Sequence, residues 1–112
     1  VVENEERFAN ALREVAKRIH DAIAREHRAE ADLKRLIAIK QVEALAAGHK
    51  AANAQTREAD LDQEVYEARI AVGAAKAEVT ALKTHAKAVE IAFEQWRTYR
   101  ASERLERKAY GA

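Results

Sequence analysis

The side chains in this chain that could do chemistry are few. Four histidines, His20, His27, His49 and His85, are the candidate metal ligands or general bases. His20 and His27 stand seven residues apart, on one helical face but two turns, roughly 10 Å, from each other. That is too far for one metal. No Glu-x-x-His or His-x-x-x-His spacing is present, so the ligand set of a carboxylate-bridged metal bundle is missing. The only serine, Ser102, has no histidine near it in sequence, and Gly48, Gly73 and Gly111 are isolated, so no phosphate-cradling loop is spelled out. Glu58, Asp60 and Asp62 read as carboxylates that complement a helix N-terminus. The expectation is no enzyme, no metal, no cofactor and no small-molecule substrate.

A different pattern closes the chain. In AFEQWRTYRASERLERKAYGA, residues 92–112, Phe93, Trp96, Tyr99 and Tyr110 are interleaved with Arg97, Arg100, Arg104, Arg107 and Lys108. Tyrosine and arginine are concentrated where proteins meet other proteins. A basic helical stripe with aromatics can equally follow phosphates and stack bases. Lys76, Lys83 and Lys87 extend the basic residues upstream, with Arg69, Lys76 and Lys83 recurring every seven. Two surfaces are therefore in play. One is a protein-binding set of Tyr99, Arg100, Arg104, Arg107 and Tyr110. The other is a nucleic-acid-binding set of Lys76, Lys83, Lys87, Arg97, Arg100 and Arg104.

Whole-chain electrostatics favours the first. Lys and Arg number 20 against 19 Asp and Glu, a net charge of +1 over 112 residues, so the chain as a whole has no field that attracts polyanions. Charged residues make up 35%. Alanine is about a quarter by count. That mixture of Ala, Glu, Lys and Arg is the composition of long helices and coiled coils. Cysteine is absent, which fits a reducing cytoplasm. No apolar run is long enough to span a bilayer, and the acidic opening VVENEERF lacks the features of a signal peptide. The first residue is Val, as a GTG start codon written as valine or a trimmed chain would give.

Helix-period patterns run almost end to end, and nowhere does two-residue alternation persist. The one clear interruption is LAAGHKAANAQT, residues 45–56. There Gly48 can close a helix in the left-handed conformation, and Asn53 or Thr56 can cap the next one. The spacing predicts a helix over about 3–47, a turn over about 48–53 and a second helix over about 54–110. One continuous helix through Gly48 is the alternative, since a lone glycine costs only ~1 kcal/mol. A short connection makes the two helices antiparallel neighbours.

The second helix carries a heptad seam of Leu61, Val65, Ala68, Val72, Ala75, Val79, Leu82, Ala86, Val89, Phe93 and Trp96. The next seam position is Arg100. The first helix offers Phe8, Leu12, Val15, Ile19 and Ala22 or Ile23. It then weakens near Glu26 and resumes with Leu33 and Leu36 or Ile37. Pairing about residue 50 sets Phe8 near Phe93. A second stripe on the second helix, Tyr66, Ile70, Ala74, Ala77, Ala81, Ala88 and Ile91, has no place in that seam. A two-helix layer hides little apolar surface. The expected fold class is therefore all-α: an antiparallel two-helix coiled-coil hairpin in a single domain, its second layer supplied most simply by a homodimer forming a four-helix bundle, or else by a partner protein.

The stretch EVTALKTHAKAVEIAFEQWRTYRASER, with its Ala/Arg/Glu bias, resembles small Ala/Arg-rich helical hairpin proteins of actinobacterial bacteriophages. That resemblance implies binding to a host or phage protein, in the host cytoplasm, and transfers no catalytic residue. The chain is also similar to the WXG helical hairpins of type VII secretion. Tyr99 to Glu103 fits their Tyr-x-x-x-Asp/Glu signal and Gly48 sits where their turn glycine would, although the turn reads Ala46-Ala47-Gly48 without tryptophan. The leading expectation is a non-enzymatic interaction protein, with nucleic-acid binding as the alternative and no membrane association.

Overall fold

The computed structural model describes residues 2–110; Val1 of the opening Val-Val and Gly111 of the isolated glycines lie outside the described residues. The described chain is helical, with α1 over Val2–Ala46, α2 over Ala52–Leu61 and α3 over Gln63–Ala109. The all-helical expectation holds, but the second helix is two. Contacts group the chain into one unit of residues 1–19 with 81–112 and another of residues 20–80.

In the unit of residues 20–80, α1 closes as its sequence directs. Gly48 adopts φ 106°, the left-handed region that glycine enters without a Cβ penalty. His49 N–H then donates to Ala44 O (3.0 Å) and Gly48 N–H to Leu45 O (3.1 Å). These two bonds form the Schellman arrangement that satisfies the last carbonyls of the helix. The capping of α2 differs from expectation. Its N-cap is Ala51, with no side-chain cap; Asn53 and Thr56 already lie inside the helix, and Thr56 Oγ1 donates back to Ala52 O at 3.0 Å. The turn is tied instead by Gln55, whose Nε2 donates to His49 O at 3.0 Å.

Asp62 divides α2 from α3. Its backbone is extended (φ −70°, ψ 132°), and its Oδ1 accepts from Glu64 N–H at 2.8 Å and Val65 N–H at 3.2 Å. This is an N-cap where the sequence pattern suggested only a first-turn acid. The extended residue resets the helical phase. Leu61, a seam position by heptad count, is left 74% exposed, while Ala59 is buried in its place. From Val65 onward the seam returns, with Val65, Val72 and Val79 buried. Opposite them, Ala22 and Ala44 of α1 are buried. Arg25 meets Glu78 at 2.6 Å and Glu30 meets Lys76 at 3.5 Å. Lys40 meets Asp62 at 3.3 Å. Residue numbers rise along α1 as they fall along α3, so the two run antiparallel here.

Lys40 also lies 3.5 Å from Glu43 and 3.7 Å from Glu64. Its hydrogen bond to Asp62 raises the ammonium pKa; partial burial opposes that, and the surrounding carboxylates add to it. For Asp62, partial burial works against ionisation, but the Val65 N–H, Lys40 and the Glu64 N–H outweigh it and hold the carboxyl below its ordinary value. A depressed carboxyl contributes stability that is present above the ordinary value of 3.8 and lost as pH falls through the lower folded value. Lys40 has the opposite sign: its contribution is present below 10.5 and lost as pH rises through the raised value. Asp62→Ala is expected to lower Tm by about 5 °C. Asp62→Asn keeps the cap but not the charge, so it should retain most of that at pH 7 and lose the part of the acid-side fall in Tm that Asp62 contributes. Thermal melts by circular dichroism across pH 2–7 check both.

In the unit of residues 1–19 with 81–112, aromatic side chains join the helices. The Phe8 ring lies 5.0 Å from Phe93 and 5.9 Å from Trp96, and Phe93 lies 6.1 Å from Trp96. The expected Phe8–Phe93 pairing is thus realised. Val15 is buried there, and Leu12, Ile19, Leu82, Ala86 and Val89 are half-buried.

Candidate interaction surface

The last turns of α3 belong to this second unit. Their helicity is supported locally. Glu94 pairs with Arg97 at 3.6 Å and Arg100 with Glu103 at 3.0 Å, each three residues apart. Arg107 and Lys108 occupy the final turn, where the helix dipole favours cations.

The five residues of the protein-binding set are not equivalent. Tyr99 and Tyr110 are exposed, Tyr110 at 86%. Their spacing of eleven returns them to within about 20° of each other around the helix. Arg100, Arg104 and Arg107 form a second line, roughly 80–140° further round from Tyr99. Arg104 and Arg107 are exposed. Arg100 is not free for display. It occupies a seam position, its side chain is 27% exposed, and it is held by Glu103. Its Nε is buried without a hydrogen-bond partner. Arg100 lines a shallow groove with Glu5, Trp96, Arg97, Ala101 and Arg104. The reason is register: the heptad that carries Phe93 inward carries the residue seven later inward too.

Leu105 was missed by the sequence reading. It is 68% exposed and lines an open groove with Ala101, Arg104, Arg107 and Lys108. The signal was present as the one large aliphatic residue in RASERLERK. An apolar side chain flanked by arginine stems offers contact area and directional donors together.

The basic set is largely neutralised within the chain. Lys76 pairs with Glu30, Lys87 with Glu90 at 3.8 Å, Arg97 with Glu94 and Arg100 with Glu103. Arg97 also lies over the Phe93 ring, 5.5 Å from its centroid. Arg69, which shares the seven-residue recurrence, pairs with Asp60 at 2.9 Å. Among the described residues, only Lys83 and Arg104 of that set have no carboxylate within 4.0 Å.

Among the described residues no group of three or more His, Asp or Glu side chains is placed to hold a metal. His20 is 3.8 Å from Asp21 and His49 is 3.9 Å from Glu58. No helix among the described residues is long and apolar enough to cross a membrane. Tyr99 and Glu103, the secretion-like pair, differ in setting: the tyrosine is exposed and the glutamate is half-buried against Arg100. Comparison of the chain with protein-family models, curated proteins and solved structures found no match.

Proposed function

We propose that this chain is a non-enzymatic, self-associating interaction protein that grips a host or phage protein with the last turns of α3. The observation that carries this reading is the make-up of those turns. Tyr99, Leu105 and Tyr110 are exposed, and Arg104 and Arg107 have no carboxylate within 4.0 Å among the described residues. Exposed tyrosine buries a large area at low entropic cost, and arginine supplies donors at the rim. In this mechanism α3 is the rigid support, the Phe8–Phe93–Trp96 cluster fixes its direction within the unit, and Arg100 positions the helix rather than touching the partner.

The expected result is that Arg104→Glu combined with Arg107→Glu leaves helicity and Tm within about 2 °C of the parent. It should also remove a specific partner captured from a lysate of the source cell. If the capture profile is unchanged, the terminal turns are not the binding surface. Lys83 and the two unpaired arginines keep a second reading open, in which the surface meets nucleic acid. That reading requires affinity that falls steeply as salt rises, whereas an aromatic-anchored protein contact is less salt-sensitive.

A further inference from the structure

Two grooves lie on one side of α3 in the unit of residues 1–19 with 81–112. The lining of the first includes Leu12, Ile91 and Thr98, and that of the second Ala101, Arg104, Leu105 and Lys108. Ile91, Thr98 and Leu105 follow one another at intervals of seven. They form a line about 21 Å long that drifts only about 40° round the helix. All three are exposed, Ile91 at 49% and Leu105 at 68%. A repeat of seven is the interval at which one helix packs along another.

Charge is spread unevenly along this line. Around Ile91 it is matched within the chain, Lys87 by Glu90 at 3.8 Å and Arg97 by Glu94 at 3.6 Å. Beside Leu105 it is not matched. Lys108 and Arg104 stand about 60° and 100° from Leu105 round the helix, and neither has a carboxylate within 4.0 Å among the described residues. The two carboxylates of these turns lie elsewhere. Glu103 is held by Arg100 at 3.0 Å. Both Glu103 and Glu106 fall at least about 100° from Arg104, Leu105 and Lys108. The line is thus apolar throughout and carries uncompensated positive charge at one end only.

We infer that the partner protein contacts this line with an amphipathic helix that is acidic at one end. This rests on the terminal contact proposed above and names the chemistry of its partner. Apolar side chains of that helix cover Ile91 and Leu105, and its carboxylates meet Arg104 and Lys108. Carboxylates are favoured in the first turn of a helix. With that turn at Leu105, the partner helix runs antiparallel to α3. Charge complementarity selects the acidic end, and the floor selects protein over nucleic acid. Phosphates gain nothing from Ile91, Thr98, Ala101 and Leu105. The rings on which bases could stack, Tyr99 and Tyr110, lie about 120° and 140° from Leu105.

The test is fluorescence anisotropy with the full chain and a labelled synthetic helix of about 20 residues. The peptide carries leucine at its heptad a and d positions and glutamate in its first two turns. A second peptide has lysine in place of each glutamate. The glutamate peptide should bind at least about tenfold more tightly than the lysine peptide. Leu105→Asp, at an exposed position, should weaken it at least about tenfold with helicity unchanged. Arg104→Glu combined with Lys108→Glu should reverse the preference between the peptides, a result that loss of folding cannot produce. A wild type that binds neither peptide or both alike, or a preference that the charge reversal leaves in place, overturns the inference. A single-stranded oligonucleotide that binds more tightly than the glutamate peptide gives the line to nucleic acid. A wild-type dimer that Leu105→Asp dissociates gives it to a second copy. Either result also overturns the inference. Lysate capture lost in Arg104→Glu, Arg107→Glu but kept in Leu105→Asp overturns the acidic helix alone, and the terminal binding surface stands.

Discussion

Val65→Asp is expected to abolish the cooperative thermal transition of the residue 20–80 unit, whereas Leu61→Asp should leave it in place. Val65 is wholly buried in the first turn of α3, directly after the Asp62 cap. A carboxylate there has no partner and is withdrawn from water, a change that costs at least about 4 kcal/mol. Domains of this size have roughly 5–15 kcal/mol in hand, and a core of valines and alanines belongs at the lower end. Leu61 lies only four residues away and fills the same heptad seam by count. It is 74% exposed, so an acid there should change stability by no more than about 0.5 kcal/mol. Circular dichroism melts of the two variants separate the continuous-seam geometry from the broken one. Equal loss in both would mean that α2 and α3 form one seam and that Asp62 does not reset the phase.

Phe93→Ala gives the second large effect, in the other unit. The Phe93 ring touches both Phe8 and Trp96 and lies beneath the Arg97 guanidinium. Truncating it removes a half-buried ring, two aromatic pairs and a cation–π contact. The expected loss is about 2–4 kcal/mol, or a fall in Tm of at least about 10 °C. Trp96 is the only tryptophan, so its fluorescence reports the same event: emission should shift to the red as water reaches the indole. Tyr99→Ala, at an exposed position, should leave both Tm and emission near wild type. If Phe93→Ala leaves Trp96 emission unchanged, the cluster does not hold α1 and α3 together.

These variants also mark how far the sequence could be read. Periodicity carried the helical fold, the antiparallel pairing and the aromatic contact, because Val65, Val72, Val79 and Phe93 recur at an interval only a packed helix uses. Gly48 was readable because a left-handed turn needs a residue without a Cβ. Asp62 was not, because the break contains neither glycine nor proline. An acid near the start of a helix looks the same whether it caps or merely complements the dipole. Only its backbone angles, with Oδ1 on two N–H groups, distinguish the cases. Arg100 misled in the other direction: a charged residue at a seam position reads as the end of burial, yet its long stem carries the seam on while its head pairs with Glu103. The composition of the candidate surface was plain in the chain. Its division into a tyrosine line and an arginine line follows from helical angles, and Leu105 was hidden among charges. No spacing rule names the partner, because recognition by exposed tyrosine and arginine has no fixed interval of the kind that metals and phosphates impose.

The claim that this is a protein-binding helical assembly, and not a nucleic-acid binder, is tested most directly by light scattering. The chain is measured alone and with a short duplex or a single-stranded oligonucleotide, at low and at high salt. The expected mass is twice the 12.5 kDa of one chain, unchanged by either oligonucleotide in either buffer. A rise in mass with oligonucleotide at low salt that disappears at high salt would contradict it and assign the unpaired cations Lys83, Arg104 and Arg107 to phosphate.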